Sequence, residues 1–210
     1  MRNVLSIAGS DPSGGAGIQA DLKTMCAMGV YGMTAVTAVT VQNTQAVYDV
    51  QDVREDIVRG QIQAVFDDIR VDAVKIGMVS SAGILRVIRD SLLEFRAKNI
   101  VLDPVMVSKS GYSLLKEDAA GLVRELAAIA DLVTPNIPEA EILCGFSVKT
   151  DSDMRKAAEF IAAAGAKNVL IKGGHRGGFT SGDLLLTAGG WMSLDAERID
   201  TQHTHGTGCT

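Results

Sequence analysis

The chain has 210 residues, 47% apolar and 21% charged, with 22 glycines against 4 prolines, which is enough to bury a sizeable core without disulfides or metals and is unlike a disordered composition. A formal charge of −5 and the absence of a Lys/Arg cluster argue against electrostatic binding of a nucleic-acid backbone, which needs a concentrated basic face. The opening segment MRNVLSIAGSDPSGG carries about five apolar residues before small and polar ones, too few for a signal-peptide core or a membrane span, so a cytoplasmic protein without a membrane partner is expected.

In chain order, short apolar runs alternate with segments of helical period. The runs are Val4–Ala8, Thr34–Val41, Ala73–Ile76, Ile100–Leu102, Leu132–Val133, Val169–Ile171 and Leu184–Leu186. Between them, Ile18/Leu22/Met25, Val58/Ile62/Val65, Ile84/Ile88/Leu92/Phe95, Leu122/Leu126/Ile129 and Met154/Ala158/Ile161 each make one apolar stripe facing the core. The alternation predicts an α/β protein, a three-layer αβα sandwich with a central, mostly parallel sheet. Continuous apolarity in the runs predicts strands buried on both faces. Ser80 or Ser81 is expected to precede one helix, and Asp151, in a run of Asp/Ser caps, to open another. Leu184 to Leu194 reads as a strand pair around Gly189-Gly190. With no repeat and no linker, one compact domain is expected. Cys26, Cys144 and Cys209 are far apart and form no CxxC, which speaks against a disulfide framework or a zinc site. Cys26 and Cys144 are expected to be small buried apolar residues.

In a parallel sheet, ligands bind beyond the carboxyl ends of the strands, and here the residues after the runs are polar and glycine-rich. The first run leads into Gly9-Ser10-Asp11-Pro12-Ser13-Gly14-Gly15-Ala16-Gly17 and then a helix carrying Asp21, a loop whose backbone N–H groups could approach a ligand closely. It matches neither the Walker A pattern nor GxGxxG, so by itself it is equally a turn. Asp103 follows the fourth run and Glu139 stands in Pro135-Asn136-Ile137-Pro138-Glu139 after the fifth, which puts carboxylates where oxygen ligands for Mg²⁺ would serve nucleotide phosphates. Lys172, in Lys172-Gly173-Gly174-His175, suits a point-charge clamp on phosphate oxygens. Separately each of these charges also reads as a paired surface residue; together they suggest phosphoryl transfer. Gly206-Thr207-Gly208-Cys209-Thr210 can make an anion nest, and the same place lowers a cysteine pKa, leaving Cys209 open between a functional thiolate and a plain thiol.

Seven blocks, SIAGSDPSGGAGIQADLKT (6–24), TAVTVQNT (37–44), VKIGM (74–78), VLDPVM (101–106), TPNIPEAEIL (134–143), IKGGH (171–175) and THGTGCT (204–210), closely resemble the bacterial hydroxymethylpyrimidine/phosphomethylpyrimidine kinases of the ribokinase-like superfamily, in that family's order and spacing. The resemblance implies a ribokinase-like fold and ATP-dependent phosphorylation of hydroxymethylpyrimidine and of its monophosphate in thiamine biosynthesis. It implies that Asp21, Gln42, Met78 and Val105 line the pyrimidine pocket, with Gln42 bonding the aminopyrimidine edge. Asn136 and Glu139 match the motif that organises Mg²⁺ and phosphate, with Asp103 nearby, and Lys172 matches the phosphate-binding lysine. Gly206, Thr207, Gly208 and Cys209 match the anion hole, with Cys209 in place of the superfamily's usual catalytic Asp. ATP as co-substrate, Mg²⁺ and small-molecule substrates are the implied partners, and a homodimer is compatible with them. The family continues past GTGC into a helix, so residues 1–210 are expected to form one kinase domain lacking that C-terminal helical part. Two other readings compete: a pyridoxal kinase of the same superfamily, and a non-catalytic pyrimidine-binding module.

Overall fold

The computed structural model describes residues 1–106, 120–174, 180–197 and 205–208. Its elements run in the order β1 (Asn3–Ser10), α1 (Gly17–Ala27), β2 (Tyr31–Gln42), β3 (Val47–Asp52), α2 (Glu55–Asp68), β4 (Ala73–Ile76), α3 (Ala82–Glu94) and β5 (Ile100–Leu102). They continue with α4 (Ala120–Ala127), β6 (Leu132–Val133), α5 (Ile137–Cys144), α6 (Asp151–Ala163), β7 (Val169–Ile171), β8 (Thr180–Thr187) and β9 (Gly190–Glu197). The described strands form one sheet in the order β3-β2-β1-β4-β5-β6-β7-β8-β9. From β2 to β7 every neighbouring pair is parallel. The pairs β2–β3, β7–β8 and β8–β9 at the two edges are antiparallel. The expected sandwich with a mostly parallel sheet is therefore present, and β8–β9 is the hairpin read around Gly189-Gly190. Edge strand β3 was not among the expected runs.

Strand parity sorts the helices into layers. Leu5 and Ile7 of β1 stand beside Met33 and Ala35 of β2 and Val74 and Ile76 of β4. These residues share one core with Val58 and Ile62 of α2, Ile84, Ile88 and Leu92 of α3, Leu126 of α4 and Met154 and Ile161 of α6. Ser6 and Lys75, adjacent in register, point to the opposite face, where the Asp21 side chain of α1 meets both. Burial on both faces holds for β1, whereas β2 and β4 alternate between buried and partly exposed positions. The reason is that α1 is the helix the described residues place on that second face. Its buried side is set by Ala20, Asp21 and Met25, and Leu22, expected in the stripe, lies at the solvent boundary.

The two expected helix starts are found, and one of the two described thiols departs from expectation. Ser81 takes the N-cap position of α3 without a side-chain hydrogen bond. Helix α6 opens at Asp151 as expected, and Thr150 caps it: its hydroxyl accepts from the Asp153 N–H while the Asp153 carboxylate accepts from the Thr150 N–H, a reciprocal box that satisfies two end donors. Cys144 is buried as expected, but Cys26 is exposed because it follows the buried Met25 on the outer side of α1. Among the described residues no helix is long and apolar enough to cross a membrane.

Ile88 is fully buried at the centre of the α3 stripe. Truncating it as Ile88→Ala is expected to cost about 2–5 kcal/mol. Urea unfolding should register this as a lower midpoint with an unchanged slope; a loss below ~1 kcal/mol would mean that α3 does not seal this core.

Candidate active site

The glycine-rich loop after β1 is organised by its own carboxylate. Asp11, only 2% exposed, accepts at Oδ1 from the Ser13 N–H (2.8 Å) and hydroxyl (2.7 Å), and at Oδ2 from the N–H groups of Gly15 (3.2 Å) and Ala16 (2.9 Å). Burial works against this charge, but the bonds from Ser13, His205 and Ala16 outweigh it and hold the carboxyl below its ordinary value. The loop's amides therefore close on Asp11, where the sequence suggested an approach to a ligand. Gly17 starts α1 at φ +59, and a Cβ there would stand 2.4 Å from the Gly9 carbonyl oxygen.

Of the four residues expected to line the pyrimidine pocket, Gln42, Met78 and Val105 sit at or just beyond strand ends, whereas Asp21 lies on α1 against the interiors of β1 and β4. Asp21 is buried: Lys75 Nζ lies 2.8 and 3.0 Å from its two oxygens, and the Ser6 hydroxyl donates to Oδ2 at 2.5 Å. Gly77 leaves room for that ammonium, since a Cβ there would stand 2.9 Å from Lys75 Nζ. Gln42 closes β2 half-buried, its Oε1 3.1 Å from the Thr40 hydroxyl, which also reaches the Ser10 carbonyl at 2.8 Å. The Met78 methyl fills the space that a Cβ on Gly9 would need, and its carbonyl accepts from the Thr37 hydroxyl. Val105 is half-buried, with its N–H on the Asp103 carbonyl.

The residues expected on the phosphate side form a second set of contacts. Lys172 Nζ donates to Asp103 Oδ1 at 2.7 Å and to the Gly208 carbonyl at 2.9 Å, while the Thr134 hydroxyl donates to the same Asp103 oxygen at 3.2 Å. Asn136 and Lys172 are bridged in parallel, which carries the β6–β7 pairing to the sheet edge. Asn136 caps α5: its side chain accepts from the Glu139 N–H, and Glu139 Oε2 accepts from the Asn136 N–H at 2.8 Å. Glu139 is 4% exposed. Burial above all pushes its carboxyl up to about 7, with the charge of Asp103 adding to the rise and the Asn136 N–H, Lys172 and the Met106 N–H opposing it. Gly206, Thr207 and Gly208 form a turn beside this set; Thr207 and Gly208 are exposed. Cys209 and His175 lie outside the described residues.

Direct contacts thus unite Asp103, Lys172 and Gly208, with Glu139 and Asn136 alongside, while Asp21 belongs to a separate charged cluster. Sequence reasoning missed Ser6, Lys75, Thr134 and His205 as partners of these residues, and read Lys75 as part of an apolar strand. His205 Nε2 lies 2.9 Å from Asp11 Oδ2 and 3.1 Å from the Ser13 hydroxyl.

Residues 11–210 match the family described as Phosphomethylpyrimidine kinase. The chain is 50% identical over 208 residues to the hydroxymethylpyrimidine/phosphomethylpyrimidine kinase of Rhizobium meliloti, covering 98% of this chain and 78% of that enzyme. The crystal structure of phosphomethylpyrimidine kinase from Clostridium difficile superposes with a TM-score of 0.86 at 48% identity, over 92% of this chain and 84% of that one. Pyridoxal kinase from Staphylococcus aureus, solved with AMP-PCP and pyridoxal, superposes with a TM-score of 0.91 at 34% identity, over 100% of this chain and 77% of that one. Both kinds of kinase thus superpose on the chain. With its ribokinase-like sheet and its strand-end charges, the chain belongs to the phosphomethylpyrimidine kinase family.

Proposed function

We propose that the protein transfers the γ-phosphoryl group of ATP to 4-amino-5-hydroxymethyl-2-methylpyrimidine and then to its monophosphate, giving the diphosphate used in thiamine biosynthesis. The observation that carries this reading is the Lys172 ammonium joining Asp103 to the Gly208 carbonyl at the carboxyl edge of a parallel sheet, in a chain of this family. In the first reaction the substrate's primary alcohol forms an O–P bond as the bond from the γ-phosphorus to ADP breaks, and the hydroxyl proton must go to a base. Cys209, next in the chain after Gly208, is assigned that role, which contributes typically ~10²–10⁴-fold. Lys172 and the backbone N–H groups of Gly206, Gly208 and Cys209 offset the charge on the transferring group, with Thr207 and Asn136 on the nucleotide side. In the second reaction the nucleophile is an already ionised phosphate and needs no base. Asp21, Gln42, Met78 and Val105 hold the pyrimidine.

Asp103 and Glu139 suit Mg²⁺: both are buried oxygen donors, and their mutual repulsion together with burial leaves Glu139 reluctant to ionise, a strain that a cation would relieve. Among the described residues no cluster of three or more metal-ligating side chains occurs, which fits an ion held by one or two carboxylates together with substrate phosphates. When bound, the ion would supply charge neutralisation on the phosphates.

The reading is tested by a coupled ADP-release assay on hydroxymethylpyrimidine, its monophosphate and pyridoxal. Turnover of both pyrimidines above that of pyridoxal is expected; faster turnover of pyridoxal would reassign the enzyme to the pyridoxal kinases, and no turnover of any would leave a binding module. Gln42→Leu should weaken hydroxymethylpyrimidine binding by ~1–3 kcal/mol, because the ligand's polar edge loses its partner. Unchanged affinity by calorimetry would remove Gln42 from the pocket.

Glu139 yields a pH prediction. Its carboxyl stands at about 7 in the folded chain against 4.5 ordinarily, so between those values the folded state binds more protons than the unfolded. The stability this contributes is fully present below pH 4.5 and is lost as pH rises through 7, a change on the order of 3 kcal/mol. Gln at this position keeps an oxygen acceptor for the Asn136 N–H but cannot titrate. Without divalent cations, Glu139→Gln should therefore gain on wild type by that amount as pH rises from 4.5 to about 8. Unfolding curves across that range decide it, and a constant difference between the two proteins rejects the assignment.

A further inference from the structure

We propose that His205 is a positioning residue for phosphoryl transfer: by donating to the Asp11 carboxylate it latches the Gly206–Gly208 turn onto the glycine-rich loop, and so sets where the Gly208 carbonyl meets Lys172. The proposal rests on the kinase reading above.

The geometry separates what Asp11 does locally from what it does at long range. The Ser13, Gly15 and Ala16 donors come from within five residues of Asp11 and hold the loop's own shape. His205 comes from 194 positions away, and its contacts with Asp11 Oδ2 and the Ser13 hydroxyl tie a remote segment to the loop. An ionised carboxylate only accepts, and Asp11 is held in that form, so His205 carries its proton on Nε2 and aims it at Oδ2.

Steric fit at this junction points the same way. A Cβ on Gly15 would lie 2.5 Å from Cδ2 of the His205 ring. A Cβ on Gly206, whose φ is +77, would lie 1.9 Å from the Gly15 carbonyl oxygen. The two backbones thus meet where neither could carry a side chain, and the imidazole fills the remaining space. Two residues further on, the Gly208 carbonyl accepts from Lys172 Nζ, whose other partner is Asp103. The path from Asp11 to Lys172 consists of one side-chain bond, a three-residue turn and one bond to its carbonyl, which leaves little room for the turn to shift without moving the Lys172 contact.

Removing the latch should misplace the charge-stabilising groups while leaving the pyrimidine pocket intact. An ångström-scale displacement of such groups costs on the order of 10²-fold in rate, so kcat of His205→Ala should fall by about that factor for both pyrimidine substrates. The KM for hydroxymethylpyrimidine should stay within about threefold of wild type, because that loss is confined to the transition state. His205→Gln, whose amide N–H reaches a similar point, should recover most of the loss. Amide hydrogen exchange should be faster at 206–208 in the Ala variant and near wild type in the Gln variant. The latch is overturned if both variants lose kcat alike, if KM rises with kcat unchanged, or if exchange at 206–208 does not change in His205→Ala. Should wild type phosphorylate neither pyrimidine, the kinase reading falls, and the exchange rates alone then decide whether the latch exists.

Discussion

Lys172 and Asp103 stand 2.7 Å apart with most of both side chains out of water, and the rest of the edge is arranged around that pair. Taking two charges out of water is costly, and the cost is recovered only when their remaining lone pairs and protons find partners. Here the Thr134 hydroxyl takes a share of Asp103, and the Gly208 carbonyl takes a share of Lys172. The pair also joins the end of β5 to the end of β7 across β6, a reach that parallel pairing makes short because all three strands finish on the same side. Glu139 enters as a second carboxylate beside a single ammonium, and its pKa is raised chiefly by burial, with the charge of Asp103 adding to the rise. Two buried carboxylates thus share one ammonium at this edge.

On the α1 side of the sheet a second buried pair solves a different problem. Lys75 sits inside a strand and would be an unpaired cation under a helix, were Asp21 not placed to receive it and Gly77 not small enough to leave it space. The Ser6 hydroxyl then completes Asp21. Because α1 begins directly after the Asp11 loop, the helix that supplies Asp21 is positioned by the same carboxylate that shapes the loop. Packing on this face thus depends on polar satisfaction, whereas the opposite face depends on Leu5, Ile7, Ile76 and the helices over them.

These two faces differ in how far the sequence revealed them. The parallel strands and the larger helices were legible because their apolar residues recur at a fixed period, and the strand-end residues Asp103, Asn136 and Lys172 were legible because parallel topology gathers whatever follows each run. Strand β3 was not: Val47–Asp52 is an edge strand, exposed or half-exposed throughout, so its residues carry no buried stripe. Helix α5 spans eight residues with Pro138 in its first turn, too short for a period to emerge, and the capping box that Asn136 and Glu139 form appears only in the structure. Lys75 was hidden because one charge in an apolar run reads as noise until its partner is seen. His205 and Asp11 carry no local signal of their pairing, since nothing in either neighbourhood depends on the other until the chain has folded.

That last separation bears on the order in which the molecule is made. A contact between residues 11 and 205 closes nearly the whole chain into one loop, and loops of that span form only after the intervening strands have paired and shortened the path. During synthesis the glycine-rich loop can assume its shape early, since its donors are local, but it must wait for residue 205 to emerge before its distal partner exists. The sheet can therefore be assembled while its carboxyl edge is still open, and a nascent chain acquires its architecture well before the junction of residues 11 and 205 closes.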